Sequence, residues 1–576
     1  MSKAQSPEVM SGLPHAVTQP LIRIGRPIPP PPTQPSESLR RPRVAGKFLF
    51  VGEEKFYVRG VTYGPFRPEA DGGEYHTRKD VERDFARMAA CHVNTVRTYT
   101  VPPPWLLDAA MQHDLRVMVG IPWEQHVTFL DSAVRAREIE RGIREAVCSC
   151  AKHPALLGYT IGNEIPSAIV RWYGHRRVER FLERLYCAAK DEDEEALVTY
   201  VNYPSTEYLE LPFLDFVSFN VYLESQDKLQ AYLARLQNLA GERPLVMAEI
   251  GLDSLRHGEA LQARTLEWQA RTIFAGGGAG LFVFAWADEW FRGGHEIEDW
   301  QFGLVTRERA PKAALDVLGQ VFQEVPFRAD ESWPLISVVI CSYNGSRTIR
   351  QCLGALQKVQ YPRFEVIVVD DGSTDQTAAV AIEFKARLVR QANAGLSAAR
   401  NTGWRAAEGE MVAYLDDDAA PDPHWLLYLA GAFMTGNDAG VGGPNIAFQD
   451  DQIVAHCVDH SPGNPTHVLL TDRIAEHLPG CNMAFRRSCL EAVGGFDPKF
   501  RIAGDDVDLC WRLRQRGWTL GFHPGYTEDL RSIYCHERLE ELRVLCHPKI
   551  RAALSGLHIE LCSFAQLGGC AHRIGC

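Results

Sequence analysis

Short apolar runs alternate with amphipathic stretches along most of the first half of the chain. Eight of these runs have the length and the branched or aromatic content of buried β-strands, and the segments between them repeat apolar positions at helical spacing. A proline-rich start marks one helical segment and glycines end others, as expected of helix termini. Eight strand–helix units within residues 43–326 predict a (β/α)8, or TIM, barrel. The predicted strands are FYVRGVTY, NTVRTYT, RVMVGIP, LLGYTIGNE, LVTYVNY, FVSFNVY, PLVMAEIG and GLFVFAW.

A second alternating pattern follows the polar stretch at residues 327–334, which we interpret as a linker. Its strands LISVVICSYN, FEVIVVDDGS and MVAYLDDD are separated by helical segments. This arrangement predicts an open, mostly parallel sheet with helices on both faces over residues 335–530, so the whole chain belongs to the α/β class. Residues 1–42 are rich in proline and predict a disordered arm.

Composition narrows the function classes. A net charge of −12 argues against a nucleic-acid partner. The fifteen cysteines show no CxxC pair and predict free thiols in a reducing compartment. No signal peptide and no apolar run of membrane-spanning length is recognisable in the sequence. We therefore expect a cytoplasmic protein without a membrane span, and leave open peripheral contact with a membrane.

Polar side chains end several of the predicted barrel strands, which is where the active site of a TIM barrel lies. Two of them are carboxylates, Glu164 in TIGNEIPS and Glu249 in PLVMAEIG. Taken alone, each acid has a structural explanation, as a helix cap or as a salt-bridge partner, beside the catalytic one. Together on one rim they match the pair of carboxyl groups that glycoside cleavage requires. The remaining rim candidates are Arg97, Asn163, Asn220, Tyr222 and Trp286.

These motifs resemble clan A glycoside hydrolases, the retaining (β/α)8 families with Asn-Glu at the end of strand four and Glu at the end of strand seven. The segments IGNEIP, VSFNVY, MAEIG and FVFAWADEW carry the resemblance. It implies that Glu164 is the acid/base, that Glu249 is the nucleophile, that Asn163 holds the sugar 2-hydroxyl and that Tyr222 hydrogen-bonds the nucleophile. Glu124 and His126, which follow strand three, are interpreted as a solvated loop.

In the second half, aspartates come in runs directly after apolar strands. Carboxylates at the carboxyl edge of such a sheet lie where ligands bind in open α/β folds, and clustered oxygen ligands suit Mg²⁺ or Mn²⁺. A turn or a solvated loop would explain any single run, but not the ordered set. Arg400 and Asn401 are as well explained by anchoring a helix as by phosphate binding. The runs are VVDDGSTD, YLDDDAAPD and AGDDVDLCWRLRQRGW.

The ordered motifs strongly resemble family 2 glycosyltransferases of the GT-A fold. The resemblance implies that Asp370 and Asp371 contact the nucleotide, and that Asp416 and Asp418 form the D-x-D pair, which binds the nucleotide sugar and its divalent metal. It also implies that Asp506 is the general base of an inverting transfer. The family pattern fades after residue 530, and the Cys-rich segment 531–576 is expected to be a divergent tail; truncation or a shift of reading frame would explain it equally.

The combined expectation is a metal-dependent, inverting glycosyltransferase that uses a nucleotide-diphosphate sugar, in our interpretation a UDP-sugar, and a glycan acceptor. It is fused to a retaining hydrolase-like barrel that acts on a β-linked glycan. One alternative is a barrel that binds glycan without turnover. Another is a scaffold in which neither site is active.

Overall fold

The computed structural model describes residues 23–24, 40–69, 72–328, 331–447, 468–522 and 528–530. Most of the predicted Pro-rich arm and all of the predicted Cys-rich tail lie outside the described residues. The nine cysteines within the described ranges are all free thiols. No helix in these ranges is long and apolar enough to cross a membrane.

Four short strands precede the barrel. The first pairs with a strand of the C-terminal sheet, and the other three form a small antiparallel sheet of their own. These strands are β1 (Arg23–Ile24), β2 (Arg43–Ala45), β3 (Phe48–Val51) and β4 (Glu54–Lys55).

Eight parallel strands then close into a barrel, as the alternating pattern predicts. Their side chains are almost all buried, because helices cover the outside and side chains fill the interior. Going round the barrel, the closing pair is β9 and β10. The strands are β5 (Val58–Thr62), β6 (Thr95–Arg97), β7 (Arg116–Gly120), β8 (Leu156–Asn163), β9 (Val198–Asn202), β10 (Val217–Asn220), β11 (Leu245–Ile250) and β12 (Gly280–Val283).

The helices between these strands begin and end at the residues that the punctuation indicates. Thr77 caps α1 by accepting a hydrogen bond from the Asp80 amide, and Pro104 opens α2. Gly241, at φ 61°, ends α6. The helices are α1 (Arg78–Ala90), α2 (Pro104–Gln112), α3 (Ala133–Cys150), α4 (Ser167–Tyr173), α5 (His175–Glu192), α6 (Gln226–Ala240), α7 (Ser254–His257), α8 (Glu259–Ala275) and α9 (Ala313–Glu324). A hairpin of β13 (Phe291–Arg292) and β14 (His295–Glu296) follows β12.

The C-terminal sheet has the order β1-β16-β15-β18-β21-β19-β22, with β17 beside β16. Strands β15 to β18 are parallel, as predicted, whereas β21 runs antiparallel to both of its neighbours. Its strands are β15 (Ile336–Ser342), β16 (Arg363–Asp370), β17 (Arg387–Arg390), β18 (Met411–Asp416), β19 (Gly440–Gly442), β21 (Asn482–Arg486) and β22 (Leu520–Phe522), and a separate pair is formed by β20 (Asn445–Ala447) and β23 (Glu528–Leu530). The helices are α10 (Ile349–Leu356), α11 (Thr377–Glu383), α12 (Leu396–Ala406), α13 (Trp425–Thr435), α14 (Arg487–Val493) and α15 (Asp505–Gln515).

The two domains share one hydrophobic cluster. It joins residues near the N-terminal ends of the barrel strands, such as Val58 and Val246, to residues of the C-terminal domain such as Ile336 and Tyr428. Through this cluster the C-terminal domain packs near the N-terminal ends of the barrel strands, which is the end opposite to where the strands finish.

Two candidate active sites

A cavity of about 860 Å³ opens at the C-terminal ends of the barrel strands. Both predicted acids, Glu164 and Glu249, line it, together with Arg97, Asn163 and Tyr222. Five of the seven predicted rim residues therefore line one concave site. Asn220 is buried and absent from the lining, and its side-chain amide donates to Glu164. The volume of the cavity is in the range of small-molecule sites.

Three side chains hold the Glu249 carboxylate. Arg97 Nη1 donates to Glu249 Oε1 at 2.8 Å, and the Tyr99 hydroxyl donates to the same oxygen. The Tyr222 hydroxyl donates to Oε2 at 2.7 Å. Arg97 is almost fully buried, and its other terminal nitrogen donates to Asn163 Oδ1 at 2.7 Å. A guanidinium and two phenols stabilise an ionised carboxylate, which is the state that a nucleophile needs.

Glu164 lies in different surroundings. Its Oε1 accepts one hydrogen bond, from Asn220 Nδ2 at 2.9 Å. Burial raises the pKa of Glu164, and the nearby negative charge of Glu249 raises it further. The backbone of Glu164 has a φ of 52°, which is uncommon for a residue other than glycine and is typical of functional sites.

Aromatic side chains form part of the cavity wall. Trp290 and Trp300 both line it, with ring centroids 6.2 Å apart, and Tyr99 packs edge-on against Trp290. The sequence analysis placed Trp286 on this rim. The structure corrects that placement: Trp286 is 1% exposed, belongs to the hydrophobic core and is absent from the cavity lining.

The second group of predicted residues lies at the carboxyl edge of the C-terminal sheet. Asp370 and Asp371 end β16 and are buried. Asp370 accepts hydrogen bonds from the Ser373 amide and from Arg390 Nε, and Asp371 accepts from the backbone amides of Ala394 and Gly395. Both carboxylates thus fix the loops around the sheet edge, and their contact with a nucleotide stays a prediction.

Acidic groups from β18 and α15 meet around one arginine. Arg400 is buried and binds Asp505 through Nη1 at 2.8 and 2.9 Å, while its Nη2 lies 3.7 Å from Asp416 Oδ1. Desolvation raises the pKa of Asp416, and Asp506 and Asp505 add to this increase, whereas Arg400 opposes it. Asp418 is half-buried in the same loop. Arg400 is therefore an anchor between α12 and α15 that also faces the D-x-D loop.

No group of three or more His, Cys, Asp or Glu side chains that could hold a metal ion occurs in the ranges described. Mg²⁺ in nucleotide enzymes needs only one or two carboxylates, because substrate phosphates and waters complete its coordination. The carboxylates of Asp416 and Asp418, two positions apart in the D-x-D loop, fit such a donor-carried ion.

Residues 43–327 match the sequence model for glycosyl hydrolases family 2, TIM barrel domain, and residues 337–494 match the model for glycosyl transferase family 2. The chain thus joins a family 2 glycosyl hydrolase barrel to a family 2 glycosyltransferase domain. The order of the two matches is the order of the two domains in the structure.

Curated relatives include the glycosyltransferase AglE of Haloferax volcanii, which is 31% identical over 200 residues; the match covers 33% of this chain and 64% of that protein. The pre-mycofactocin glycosyltransferase of Mycobacterium tuberculosis is 31% identical over 207 residues, covering 33% and 41% of the two chains. The chain spans less than two thirds of the length of both relatives. Among solved structures, a β-glucuronidase from Ruminococcus gnavus aligns with 19% identity and a TM-score of 0.43, over 49% of this chain and 52% of that one.

Tyr99 and Gln125 are among the residues of the barrel site that the sequence analysis did not name. Tyr99 lies two positions after Arg97, the last residue of β6, and the alternation of the longer predicted strand NTVRTYT places both on one face. Gln125 accepts a hydrogen bond from the Asn163 amide at 2.6 Å and lies in the loop interpreted as solvated. The spacing of Tyr99 from Arg97 could have identified Tyr99, whereas no pattern in the sequence marks Gln125.

Proposed function

We propose that the hydrolase barrel cleaves β-linked glycans with retention of configuration. The observation that carries this proposal is the unequal treatment of the two carboxyl groups. Glu249 is held by a guanidinium and two phenols, whereas Glu164 has a raised pKa and one amide donor. Groups whose surroundings separate their protonation states are suited to divide acid and nucleophile roles.

In the proposed reaction Glu249 attacks the anomeric carbon while Glu164 donates its proton to the departing glycosidic oxygen. The ionised Glu164 then removes a proton from water, which displaces Glu249 from the glycosyl-enzyme. Asn163 Oδ1 accepts from Arg97 and Asn220, which leaves the amide nitrogen to donate to the sugar 2-hydroxyl. Trp290 and Trp300 provide apolar faces for the sugar ring.

The test compares substitutions of the two acids on aryl β-glycosides. Glu164→Gln should lower kcat/KM, which reports formation of the glycosyl-enzyme, by about 10²- to 10⁴-fold for 4-methoxyphenyl glycosides but leave most of kcat/KM for 2,4-dinitrophenyl glycosides, whose leaving group needs no proton. Their kcat should fall, because Glu164 is also the base of the second step. Glu249→Ala should abolish cleavage of both. Tyr203→Phe, in the same domain but outside the cavity lining, serves as the control.

If the wild-type barrel cleaves none of a panel of β-glucosides, galactosides, mannosides and xylosides but binds them, the alternative of a glycan-binding barrel replaces the hydrolase. Equal loss of kcat/KM in Glu164→Gln with both leaving groups would reject the acid role of Glu164.

We propose that the glycosyltransferase domain transfers a sugar from a nucleotide-diphosphate donor, UDP in our interpretation, to a glycan acceptor with inversion. Asp506 is the second residue of α15, next to the buried Arg400–Asp505 pair, and is among the charges acting on Asp416. This position supports Asp506 as the base that removes the acceptor proton. Asp370 and Asp371 hold the sheet edge against which the nucleotide would lie.

Asp416 and Asp418 would hold a Mg²⁺ or Mn²⁺ ion in this domain. When bound, the ion neutralises charge on the departing diphosphate. The protein's own contribution is to keep the acidic loop in place: Asp417 accepts a hydrogen bond from the Ser342 hydroxyl, and Arg400 lies between Asp416 and Asp505.

The test of the transferase is release of nucleotide from a panel of nucleotide sugars with Mn²⁺ and glycan acceptors. Asp506→Asn should reduce acceptor-dependent release by at least about 10²-fold, while Asp508→Asn, two residues along the same helix, should not. Asp508 forms an ion pair with Arg512 at 2.7 Å. Equal rates for wild type and Asp506→Asn would remove Asp506 from the base role.

In the combined function the transferase extends a glycan and the barrel trims or rearranges it. Free thiols at all nine described cysteines support a reducing compartment, and we place the reaction in the cytoplasm, with contact at a membrane surface left to a partner. Calorimetry with UDP and Mn²⁺ separates this function from a scaffold, because a scaffold with a dead donor site would give no heat of binding.

A further inference from the structure

One arginine in the barrel cavity, Arg292, forms no ion pair with an acid of the described residues. Arg292 ends β13, lines the cavity and is exposed. Its guanidinium Nη2 lies 2.9 Å from His126 Nε2, a contact in which the imidazole accepts. It forms no ion pair with a carboxylate of the described residues, although acids are plentiful nearby.

The other arginines of the cavity are neutralised. Arg97 is paired with Glu249 at 2.8 Å. Arg256 is paired with Asp253 and, at 3.3 Å, with Asp299. Their charges are used inside the protein, so neither guanidinium is available to an anionic ligand. Arg292 differs because the contact shown for its guanidinium is to an imidazole ring, and its side chain is exposed and lines the cavity.

The contact between Arg292 and His126 joins two loops that line the cavity. His126 lies in the loop after β7, and Arg292 lies in the hairpin after β12. In the barrel β12 and β7 are separated by β5 and β6, so the two side chains meet from loops that are three strands apart. Both side chains line the cavity.

Arg292 also lies on the side of the cavity that contains the proposed acid. Its positive charge is one of those that lower the pKa of Glu164 against the larger effects of burial and of Glu249. Glu74 and Glu224 add negative charge to the cavity lining, but neither is among the dominant charges on Glu164. Because an acid/base residue faces the departing oxygen, a cation near Glu164 is placed to meet the leaving-group portion of a substrate.

We propose that Arg292, supported by His126, forms a subsite for an anionic group, carboxylate or sulfate, on the leaving-group side of the barrel's substrate. The substrate class is therefore an acidic glycan. This inference rests on the proposed hydrolase function for its position relative to the cleaved bond. A guanidinium binds both oxyanions through paired N–H donors, and the neutral imidazole keeps it oriented toward the cavity.

The test uses matched aryl β-glycosides whose leaving group carries a 4-carboxylate, a 4-sulfonate or a neutral 4-carboxamide. Wild type should prefer at least one anionic leaving group to the carboxamide in kcat/KM. Arg292→Gln should reduce kcat/KM for that glycoside by about three- to tenfold, as expected for an exposed charged contact, and leave the carboxamide unchanged. The anionic glycoside whose kcat/KM falls in Arg292→Gln shows whether the subsite binds a carboxylate or a sulfate-like group.

Arg256→Gln is the matched control, since it removes a guanidinium from the same cavity that Asp253 and Asp299 already neutralise. It should leave the ratio between anionic and neutral glycosides unchanged. Binding of the same three glycosides is measured in parallel by calorimetry for wild type and Arg292→Gln.

The outcomes separate the two proposals. Cleavage without an anionic preference overturns the subsite and leaves the hydrolase intact. Absence of cleavage, with anionic glycosides bound more weakly by Arg292→Gln, overturns the hydrolase but supports the subsite. If Arg292→Gln loses kcat/KM equally on all three glycosides, Arg292 has a role in folding or general positioning and the subsite is overturned. The subsite is also overturned if Arg256→Gln loses the anionic preference as much as Arg292→Gln does.

Discussion

The hydrogen bond from Tyr222 to Glu249 allows the nucleophile assignment to be tested by removing one oxygen atom. Tyr222→Phe removes the 2.7 Å bond to Oε2 but keeps the ring, which packs edge-on against Phe302 at 6.0 Å. A hydrogen bond to a charged group contributes about 1.5–3 kcal/mol. If the bond acts fully at the transition state, in which Glu249 is losing or regaining its charge, the rate falls roughly 10- to 150-fold.

The assay is steady-state hydrolysis of an aryl β-glycoside, with thermal unfolding as the check on folding. Tyr203→Phe is the control, because its hydroxyl accepts from the Ser167 amide at 2.9 Å outside the cavity lining. We expect kcat/KM to fall only in Tyr222→Phe. A change of less than twofold in an active barrel would show that Tyr222 does not stabilise the nucleophile, and the assignment of Glu249 would lose one of its three supports.

Three further outcomes are expected. Because Glu164 must be protonated to act as the acid and its pKa is raised above the ordinary 4.5, hydrolysis should persist above pH 4.5 and fall as the pH rises through that raised pKa, measured as kcat/KM against pH. Asp505→Ala leaves Arg400 buried without its main partner and should destabilise the transferase domain by about 3–5 kcal/mol in urea unfolding, with Asp505→Ala/Arg400→Met recovering part of the loss. Gly480→Ala places a methyl group 2.8 Å from Arg400 Nη2, too close for an unshifted contact, and should lower nucleotide release with little loss of donor binding in calorimetry.

The barrel was predictable because its strands are buried on both sides and therefore read as continuous apolar runs of uniform length. The same regularity places residues at strand ends, so Glu164, Glu249, Arg97 and Tyr222 could be assigned to one rim. Trp286 was misplaced because β12 ends at Val283, after which strand alternation no longer says which way a side chain points. Trp290 belongs to the segment after that end, and no periodicity marks it.

In the transferase domain the sequence predicted which acidic residues lie close together but not which partners their carboxylates bind. The sequence was equally compatible with a phosphate contact and with a helix anchor at Arg400. The structure shows that its guanidinium donates to both carboxylate oxygens of Asp505. The antiparallel strand β21 also escaped prediction, because strand direction depends on which long-range neighbours it pairs with and not on its own pattern.

The contacts between the two domains fix which end of the barrel the transferase domain packs against. Lys55 Nζ binds Asp422 Oδ1 at 2.6 Å, and the Tyr57 hydroxyl meets His424 Nδ1 at 2.9 Å, both just before the first barrel strand begins. Burial lowers the pKa of His424 to about 3, so the imidazole is neutral at physiological pH and its ring nitrogens take part in hydrogen bonds without a charge. These contacts fix the transferase domain at the N-terminal end of the barrel, whereas the hydrolase cavity opens at the C-terminal end. In the proposed function, a glycan product of the transferase domain would therefore leave that domain and enter the barrel from solvent.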